Sequence, residues 1–225
     1  MIVAFIPARG GSKRIPKKNI KDFLGKPIIY YSIKNALDSK LFDRVIVSTD
    51  SEEIAGVAKG FGAEVPFLRP RELADDFSGT NSVVAHGLQA FEKNCQIACC
   101  IYPTAPLMRV EDLKNGFSMM KKYDVDFVFS AKKYDYNPFR GFVLKNGTPK
   151  MLFPEHKMTR SQDLDEVYHD AAQFYWGKRE AFIEDRALFG KKSMVVPIDP
   201  LYVQDIDTLE DWKMAEARFT YLHTK

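Results

Sequence analysis

Apolar residues return along this chain in two rhythms. Short unbroken runs alternate with stretches in which apolar positions recur every three or four residues. Ile2 to Ile6 is an unbroken run, as expected of a strand covered on both faces. From Pro27 to Lys40, Ile28, Tyr31, Ile33, Ala36 and Leu37 recur at roughly helical spacing. Arg44 to Ser48, with Val45-Ile46-Val47, predicts a second buried strand. A helix follows from about Ser51, with Glu52 and Glu53 in its first turn, where carboxylates complement the helix dipole. Ala63 to Phe67 reads as a short strand stopped by Pro70, and Thr80 to Lys93 as a helix with Val84, Leu88 and Phe91 on one face. Ile97 to Tyr102 predicts a strand ended by Pro103 and Pro106, Val110 to Lys121 a helix, and Phe127-Val128-Phe129 another strand. This alternation predicts an α/β fold with a mostly parallel sheet and helices on both faces.

The rhythm breaks between about Lys132 and Glu166. Asn137-Pro138, Asn146-Gly147, Pro149 and Pro154 punctuate this stretch, and Phe142-Val143-Leu144 and Met151-Leu152-Phe153 flank Lys145 to Pro149 as in a β-hairpin. The segment reads as an insertion, a candidate arm for dimerisation. Regular structure returns at Gln173 to Trp176 and Met194 to Ile198. A last helix starts near Thr208, with Leu209, Trp212, Ala215 and Phe219 facing inward. There are no internal repeats, and the length of 225 residues suits one domain over 1–225, with the arm at about 132–166.

Composition narrows the class. Apolar residues at 45% and charged residues at 28% exclude a disordered chain. No window approaches the roughly 18 apolar residues of a membrane span. The apolar start, Met1 to Ala8, has no basic region before it and runs into Arg9, Lys13, Arg14, Lys17 and Lys18, unlike a signal peptide. Cys95, Cys99 and Cys100 are odd in number, two of them adjacent, which suits a reducing cytoplasm. A net charge of +3 is too small to require a nucleic-acid partner. The expectation is a cytoplasmic protein with neither membrane nor nucleic acid as partner.

The strongest chemical signal is Ala8-Arg9-Gly10-Gly11-Ser12-Lys13-Arg14-Ile15-Pro16-Lys17-Lys18-Asn19, directly after the first strand. Ligands of open parallel sheets sit at the carboxyl ends of strands. Gly10-Gly11 lets backbone amides approach an anion, Ser12 adds a hydroxyl, and Arg9, Lys13 and Lys18 supply charge for a polyphosphate. The run matches neither a Walker A loop nor G-x-G-x-x-G. A solvated basic turn is the competing reading, and the density of cations beside Gly-Gly favours anion binding.

Asp205-Ile206-Asp207 is the second signal. Alternate residues of an extended segment share a side, so both carboxylates can face one cation, and hard oxygen ligands suit Mg²⁺ bridging to phosphates. Helix capping competes: Asp207 or Thr208 can cap the last helix, with Asp211 in its first turn. Capping leaves Asp205 unexplained.

Ile6-Pro7-Ala8-Arg9-Gly10-Gly11-Ser12-Lys13 with Lys18-Asn19 resembles the signature of the acylneuraminate cytidylyltransferases, the CMP-sialic acid synthetases. Phe42 to Asp50, Arg69-Pro70, Tyr102-Pro103-Thr104-Ala105-Pro106 and Asp205 to Thr208 extend the resemblance in order to about Trp212. It implies a Rossmann-like nucleotidyltransferase fold. It also implies Mg²⁺-dependent transfer of CMP from CTP to the anomeric hydroxyl of a nine-carbon 2-keto sugar acid, releasing pyrophosphate. On that resemblance Arg9, Ser12, Lys13 and Lys18 would hold the phosphates. Asn19 and Arg69 would contact the nucleotide, and backbone near Ala8 and Ser48 would shape the cytosine pocket. Asp205 and Asp207 would bind the metal. A homodimer is implied as well. Arg9, Lys18 and Asp207 would carry catalysis, and the hydroxyl proton would pass to water on the metal, to Asp207 or to His169.

Two departures fall where the sugar acid would sit. Tyr102 stands where the sialic acid enzymes usually have Gln, and His169-Asp170-Ala171-Ala172-Gln173 replaces an Arg-Pro-Asn-Gly-Ala run. His169 to Gly177 instead resembles the relatives that activate pseudaminic acid, whose product would feed glycosylation of surface structures such as flagella. N-acetylneuraminic and legionaminic acid are the alternative substrates. His169 is a sugar contact or a structural histidine. Gln173 and Tyr175, read as sharing a face with Ala171, are candidate neutral donors to the sugar. Arg140 is a candidate for a substrate carboxylate across an interface or an ordinary exposed arginine. Phe174 and Trp176 read as core. Two other classes compete: a glycosyltransferase using Asp205 and Asp207 as its metal site, and a nucleotide binder without turnover.

Overall fold

The computed structural model of the protein describes residues 1–73, 79–91 and 93–224. It opens with β1 (Ile2–Pro7), whose Val3, Ala4, Phe5 and Ile6 are fully buried. Ala4 and Ile6 face one core cluster and Val3 and Phe5 the other, so the unbroken apolar run is a strand covered on both faces. A two-residue hairpin, β2 (Asp22–Phe23) with β3 (Lys26–Pro27), follows the basic loop and was not predicted. It leads into α1 (Ile29–Ser39), two residues later than the predicted start. β4 (Arg44–Ser48) precedes α2 (Glu52–Gly60), where Ser51 is the N-cap and accepts from the Ile54 amide. α3 (Thr80–Ala90), β5 (Ile97–Ile101), α4 (Val110–Lys122) and β6 (Phe127–Lys133) come next. The arm carries β7 (Phe142–Lys145) and β8 (Thr148–Met151). The chain ends with β9 (Tyr168–Lys178), α5 (Arg179–Ile183), β10 (Ser193–Pro197) and α6 (Leu209–His223).

The six-stranded sheet runs β10-β6-β9-β5-β1-β4. Only β9 opposes its neighbours, pairing antiparallel with both β5 and β6. One face packs on α1, α2 and α4 through Ile33, Ile54, Leu113 and Met120; the other packs on α3 and α5 through Val84, Leu88 and Phe182. A third cluster ties α6 to the basic loop, joining Trp212 and Ala215 to Ile15, Phe23, Ile28 and Ile206. The close fit between strands and α5 demands glycine at 177, where a Cβ would lie 2.6 Å from Phe182 Cε2 and 2.7 Å from Phe127 Cδ1.

Several expectations change: Leu209, read as facing inward, is exposed, and α3 stops at Ala90 with Phe91 exposed. Ala63 to Phe67 forms no strand; it and its neighbour Leu68 make only single bridges, Glu64 with Ile46 and Leu68 with Thr49. The arm's strands pair Phe142 with Met151 and Lys145 with Thr148, so the turn is Asn146-Gly147 alone. Both turn residues have positive φ, 51° and 79°, which is the turn that matches strand twist and that Asn-Gly favours. β9 starts at Tyr168 rather than Gln173, and it is irregular. Ala172 has φ 52°, and the register against β6 slips between Phe129 and Ala131. Alternation therefore fails across the bulge: Ala171 packs in one core cluster and Tyr175 in the other, on opposite faces.

Candidate functional site

The basic loop leaves the carboxyl end of β1 and is pinned by its backbone. The Ala8 amide donates to Ser48 O at 2.9 Å, and the Asn19 side chain donates to Arg9 O at 2.9 Å. The Gly10 amide donates to Asp50 Oδ1 at 2.8 Å. A Cβ at Gly10 would lie 3.2 Å from Ser51 Cβ, so glycine lets the loop lie close against the start of α2, whereas Gly11 faces open space. These bonds fix the loop before any ligand arrives.

Beside the loop lies a cavity of about 360 Å³. Arg9, Ser12, Lys13, Lys18 and Asn19 line it from the loop, Arg69 from the far side of β4, and Thr80, Tyr102 and Thr104 from α3 and the end of β5. Ala8 and Ser48 are fully buried behind it. Arg69 is buried too, and its Nε and Nη2 make no hydrogen bond among the described residues, nor does Ser48 Oγ. Burial lowers the Arg69 pKa, Asp50 opposes that, and Arg9 adds to it. Buried donors without acceptors cost about 1–3 kcal/mol each, a cost that a ligand supplying acceptors would relieve.

A second cavity of about 300 Å³ lies at the other side of Lys18, lined by Lys132, His169, Asp170, Asp205, Asp207 and Arg218 among others. Lys18 Nζ donates to Ile206 O at 2.6 Å and stands 3.6 Å from Asp207 Oδ1, while Arg14 Nη1 is 2.7 Å from Asp207 Oδ2. The two carboxylates flank buried Ile206, which anchors the segment in the third cluster. Desolvation, then the like charge of Asp207, raises the Asp205 pKa, with Lys18 opposing. The cap of α6 is Thr208, in a reciprocal box with Asp211. Capping therefore leaves both the Asp205 and the Asp207 side chains for other work. Among the described residues no group of three or more His, Cys, Asp or Glu is placed to hold a metal. Two crowded carboxylates still fit a hard divalent cation whose remaining ligands are phosphate oxygens and water.

The candidate sugar residues separate. Tyr102 lines the first cavity, with its hydroxyl 2.8 Å from Thr80 Oγ1. His169 lines the second; its Nδ1 is 2.8 Å from Asp170 O and its ring packs on Tyr134. Gln173 and Tyr175 line neither. Gln173 is buried and donates to Tyr202 O at 2.6 Å, leaving its Oε1 without a partner; Tyr175 is buried and donates to Asp170 Oδ2 at 2.6 Å. Arg140 lies in the arm, donates to Thr159 O at 3.2 Å, and lines a separate hollow with Tyr136 and Ser161. Phe174 and Trp176 are core: both are fully buried, and the indole donates to Leu113 O at 3.1 Å. Arg14, Thr80 and Asp170 join the site without having been singled out. Arg14 was visible only as one more cation in the basic run, Asp170 only as the neighbour of His169 in the run that departs from the sialic acid enzymes, and no local signal marks Thr80.

No helix among the described residues is long and apolar enough to cross a membrane. A family model described as cytidylyltransferase matches residues 3–193. A pseudaminic acid cytidylyltransferase of Campylobacter jejuni is 42% identical over 225 residues, 98% of this chain and 97% of the relative. An N-acylneuraminate cytidylyltransferase of Danio rerio is 36% identical over 96% of this chain and 50% of its own length. Among solved structures, a CMP:2-keto-3-deoxy-manno-octonic acid synthetase complexed with CTP superposes with a TM-score of 0.73 at 17% identity, covering 98% of this chain and 99% of that one.

Proposed function

This chain belongs to the cytidylyltransferase family and is a nucleotidyltransferase, and from that premise we propose that it transfers CMP from CTP to the anomeric hydroxyl of pseudaminic acid. The observation that carries the nucleotide half is the cation-lined cavity with its buried Arg69, two of whose nitrogens lack a hydrogen bond, joined through Lys18 to Asp207. The sugar half rests on the 42% identity to the pseudaminic acid enzyme over nearly the whole of both chains.

Arg9, Ser12, Lys13 and Lys18 receive the triphosphate. The preset loop holds it without reorganisation, so most of the acceleration comes from positioning and charge stabilisation. The bond from the anomeric oxygen to the α-phosphorus forms as the bond to pyrophosphate breaks, and Lys13 and Lys18 stabilise the departing charge. Asp205 and Asp207 would hold Mg²⁺, which neutralises phosphate charge and polarises the phosphoryl group. Asn19 keeps the loop closed through Arg9 O.

The arm supports a homodimer. Its hairpin leaves Phe142 and Leu144 exposed at 58% and 68%, Met158 beyond it is 87% exposed, and an isolated two-stranded hairpin is marginal in water. A second copy is the occupant proposed here, and sedimentation at micromolar concentration reads it directly. Cys95, Cys99 and Cys100 are buried and form no disulfide among the described residues, which supports a reducing, cytoplasmic setting.

The test is pyrophosphate release from CTP and Mg²⁺ with pseudaminic and N-acetylneuraminic acid offered in parallel. Release with pseudaminic acid alone is expected. Release with N-acetylneuraminic acid alone would keep the chemistry and replace the sugar. CTP binding without release with either acid would overturn the substrate reading.

A further inference from the structure

Asp205 and Asp207 sit on a stretch of chain that no ladder holds. A single 3₁₀ turn, Pro200–Tyr202, precedes it, and Val203 to Asp207 belong to neither strand nor helix. Side chains from three distant elements hold its carbonyls instead. Arg218 of α6 donates through Nη1 to Pro200 O at 3.0 Å and also to Val203 O. Gln173 of β9 donates to Tyr202 O at 2.6 Å, and Lys18 of the basic loop donates to Ile206 O at 2.6 Å. The Arg109 guanidinium, bonded to buried Asp112 at 2.8 and 2.9 Å, stacks over the Tyr202 ring at 4.3 Å. Two carboxylates can serve one cation only while the backbone between them keeps one shape.

Lys18 does not keep that shape alone. Its ammonium also faces Asp207 at 3.6 Å and lines the nucleotide cavity, so an arriving triphosphate competes for it. Gln173 and Arg218 stand outside that competition, since neither lines the nucleotide cavity. The Gln173 amide is also only half used. A carbonyl accepts, so Gln173 must turn its nitrogen to Tyr202 O, and its Oε1 is left buried with no partner among the described residues. A buried acceptor without a donor costs stability, so a side chain placed here for packing alone would be apolar. We propose that Gln173 and Arg218 are positioning residues for the metal, which hold Tyr202 O and Val203 O and so set the spacing and aim of Asp205 and Asp207. This rests on the reading of that pair as the Mg²⁺ ligands.

Gln173→Met is the first variant. It keeps the length of the side chain, changes no charge and removes the bond to Tyr202 O. Mn²⁺, which takes the same oxygen ligands as Mg²⁺, is titrated onto the protein without CTP and followed by loss of the free-ion paramagnetic resonance signal. Binding is expected to weaken about tenfold, the lower end of the range for residues that orient metal ligands. Tm should stay within about 2 °C of wild type, because an unpartnered acceptor goes with the bond. A merely structural glutamine would instead lower Tm and leave Mn²⁺ affinity unchanged. Arg218→Gln separates positioning from charge. A cation that only repels the metal would, once removed, tighten Mn²⁺ binding, whereas one that holds the backbone weakens it. Arg218→Lys, with one ammonium for two carbonyls, should restore part of the affinity. Wild type and Asp207→Asn are titrated first. If wild type binds no Mn²⁺, or Asp207→Asn binds it as tightly, the metal reading falls and the inference with it. If wild type binds through Asp207 but Gln173→Met binds as tightly, or Arg218→Gln more tightly, the inference alone is wrong.

Discussion

The two cavities that meet at Lys18 are built in opposite ways. The first is made largely by one stretch of chain, Arg9 to Asn19, held by backbone bonds to Ser48, Asp50 and Arg9. Its charge is one-sided and its geometry is preset. The second draws Lys132, His169, Asp170, Asp205, Asp207 and Arg218 from three distant segments and carries both signs. Its Asp207 has borrowed Arg14 and Lys18 from the first cavity's loop. An anion site can be written locally, because loop amides and a few cations suffice. A site balancing carboxylates against cations has to be assembled by the fold.

Removing the shared residue tests that contrast hardest. Lys18→Met takes charge from the phosphates and releases both Ile206 O and Asp207. Turnover is expected to fall about 10²–10³-fold, the scale of a lost charge-stabilising donor, with an unchanged circular dichroism spectrum. Near-normal turnover would show that the two cavities do not work as one. Asp207→Asn comes next, at about 10²-fold, and should shift the Mg²⁺ titration to higher concentration. An unchanged titration curve would remove the metal assignment.

Legibility followed the same division. The strands β1, β4 and β5 were readable as short unbroken apolar runs, and α2 from Ser51 with Glu52 and Glu53 in its first turn. The basic loop was readable because its chemistry lies within twelve consecutive residues. The bulge in β9 was not, since a positive φ at Ala172 has no sequence marker and depends on the Asp170 carboxylate that accepts the Ala172 amide. That one residue displaced Tyr175 from the face expected for it. The pairing of Arg14 with Asp207 joins residues far apart in the chain, and the third cluster that brings them together depends on α6 packing under the loop. The short strand expected from Ala63 failed for a related reason: its apolar residues pack without a ladder to complete.

Arg69 separates binding from stability in the preset cavity. Its guanidinium is buried with two nitrogens unpartnered, so the folded protein carries it at a cost. Arg69→Met should raise KM for CTP about tenfold or more and raise Tm by about 2–4 °C. A drop in Tm would mean that the arginine is held by bonds within the protein, and the case for a waiting ligand would weaken.

Arg14 gives the smallest effect and the finest resolution. Its bond to Asp207 is short, but the two side chains are 68% and 38% exposed, so solvent and salt screen it. Arg14→Ala should change stability by less than about 0.5 kcal/mol. Its effect on turnover depends on what the guanidinium does when a triphosphate arrives. Arg14 lines the nucleotide cavity as well as touching Asp207. If it only shields the carboxylate, removing it frees Asp207 for metal, and half-saturation by Mg²⁺ moves about twofold lower. If it transfers to the phosphates, KM for CTP rises about threefold, and the rise fades above 0.3 M salt, roughly twice physiological ionic strength. The loop's preset geometry predicts the second result, because Arg14 is built into the same rigid run that receives the nucleotide. A lower Mg²⁺ requirement with an unchanged KM for CTP would assign Arg14 to the acidic cavity alone and move the boundary between the two sites into the loop itself.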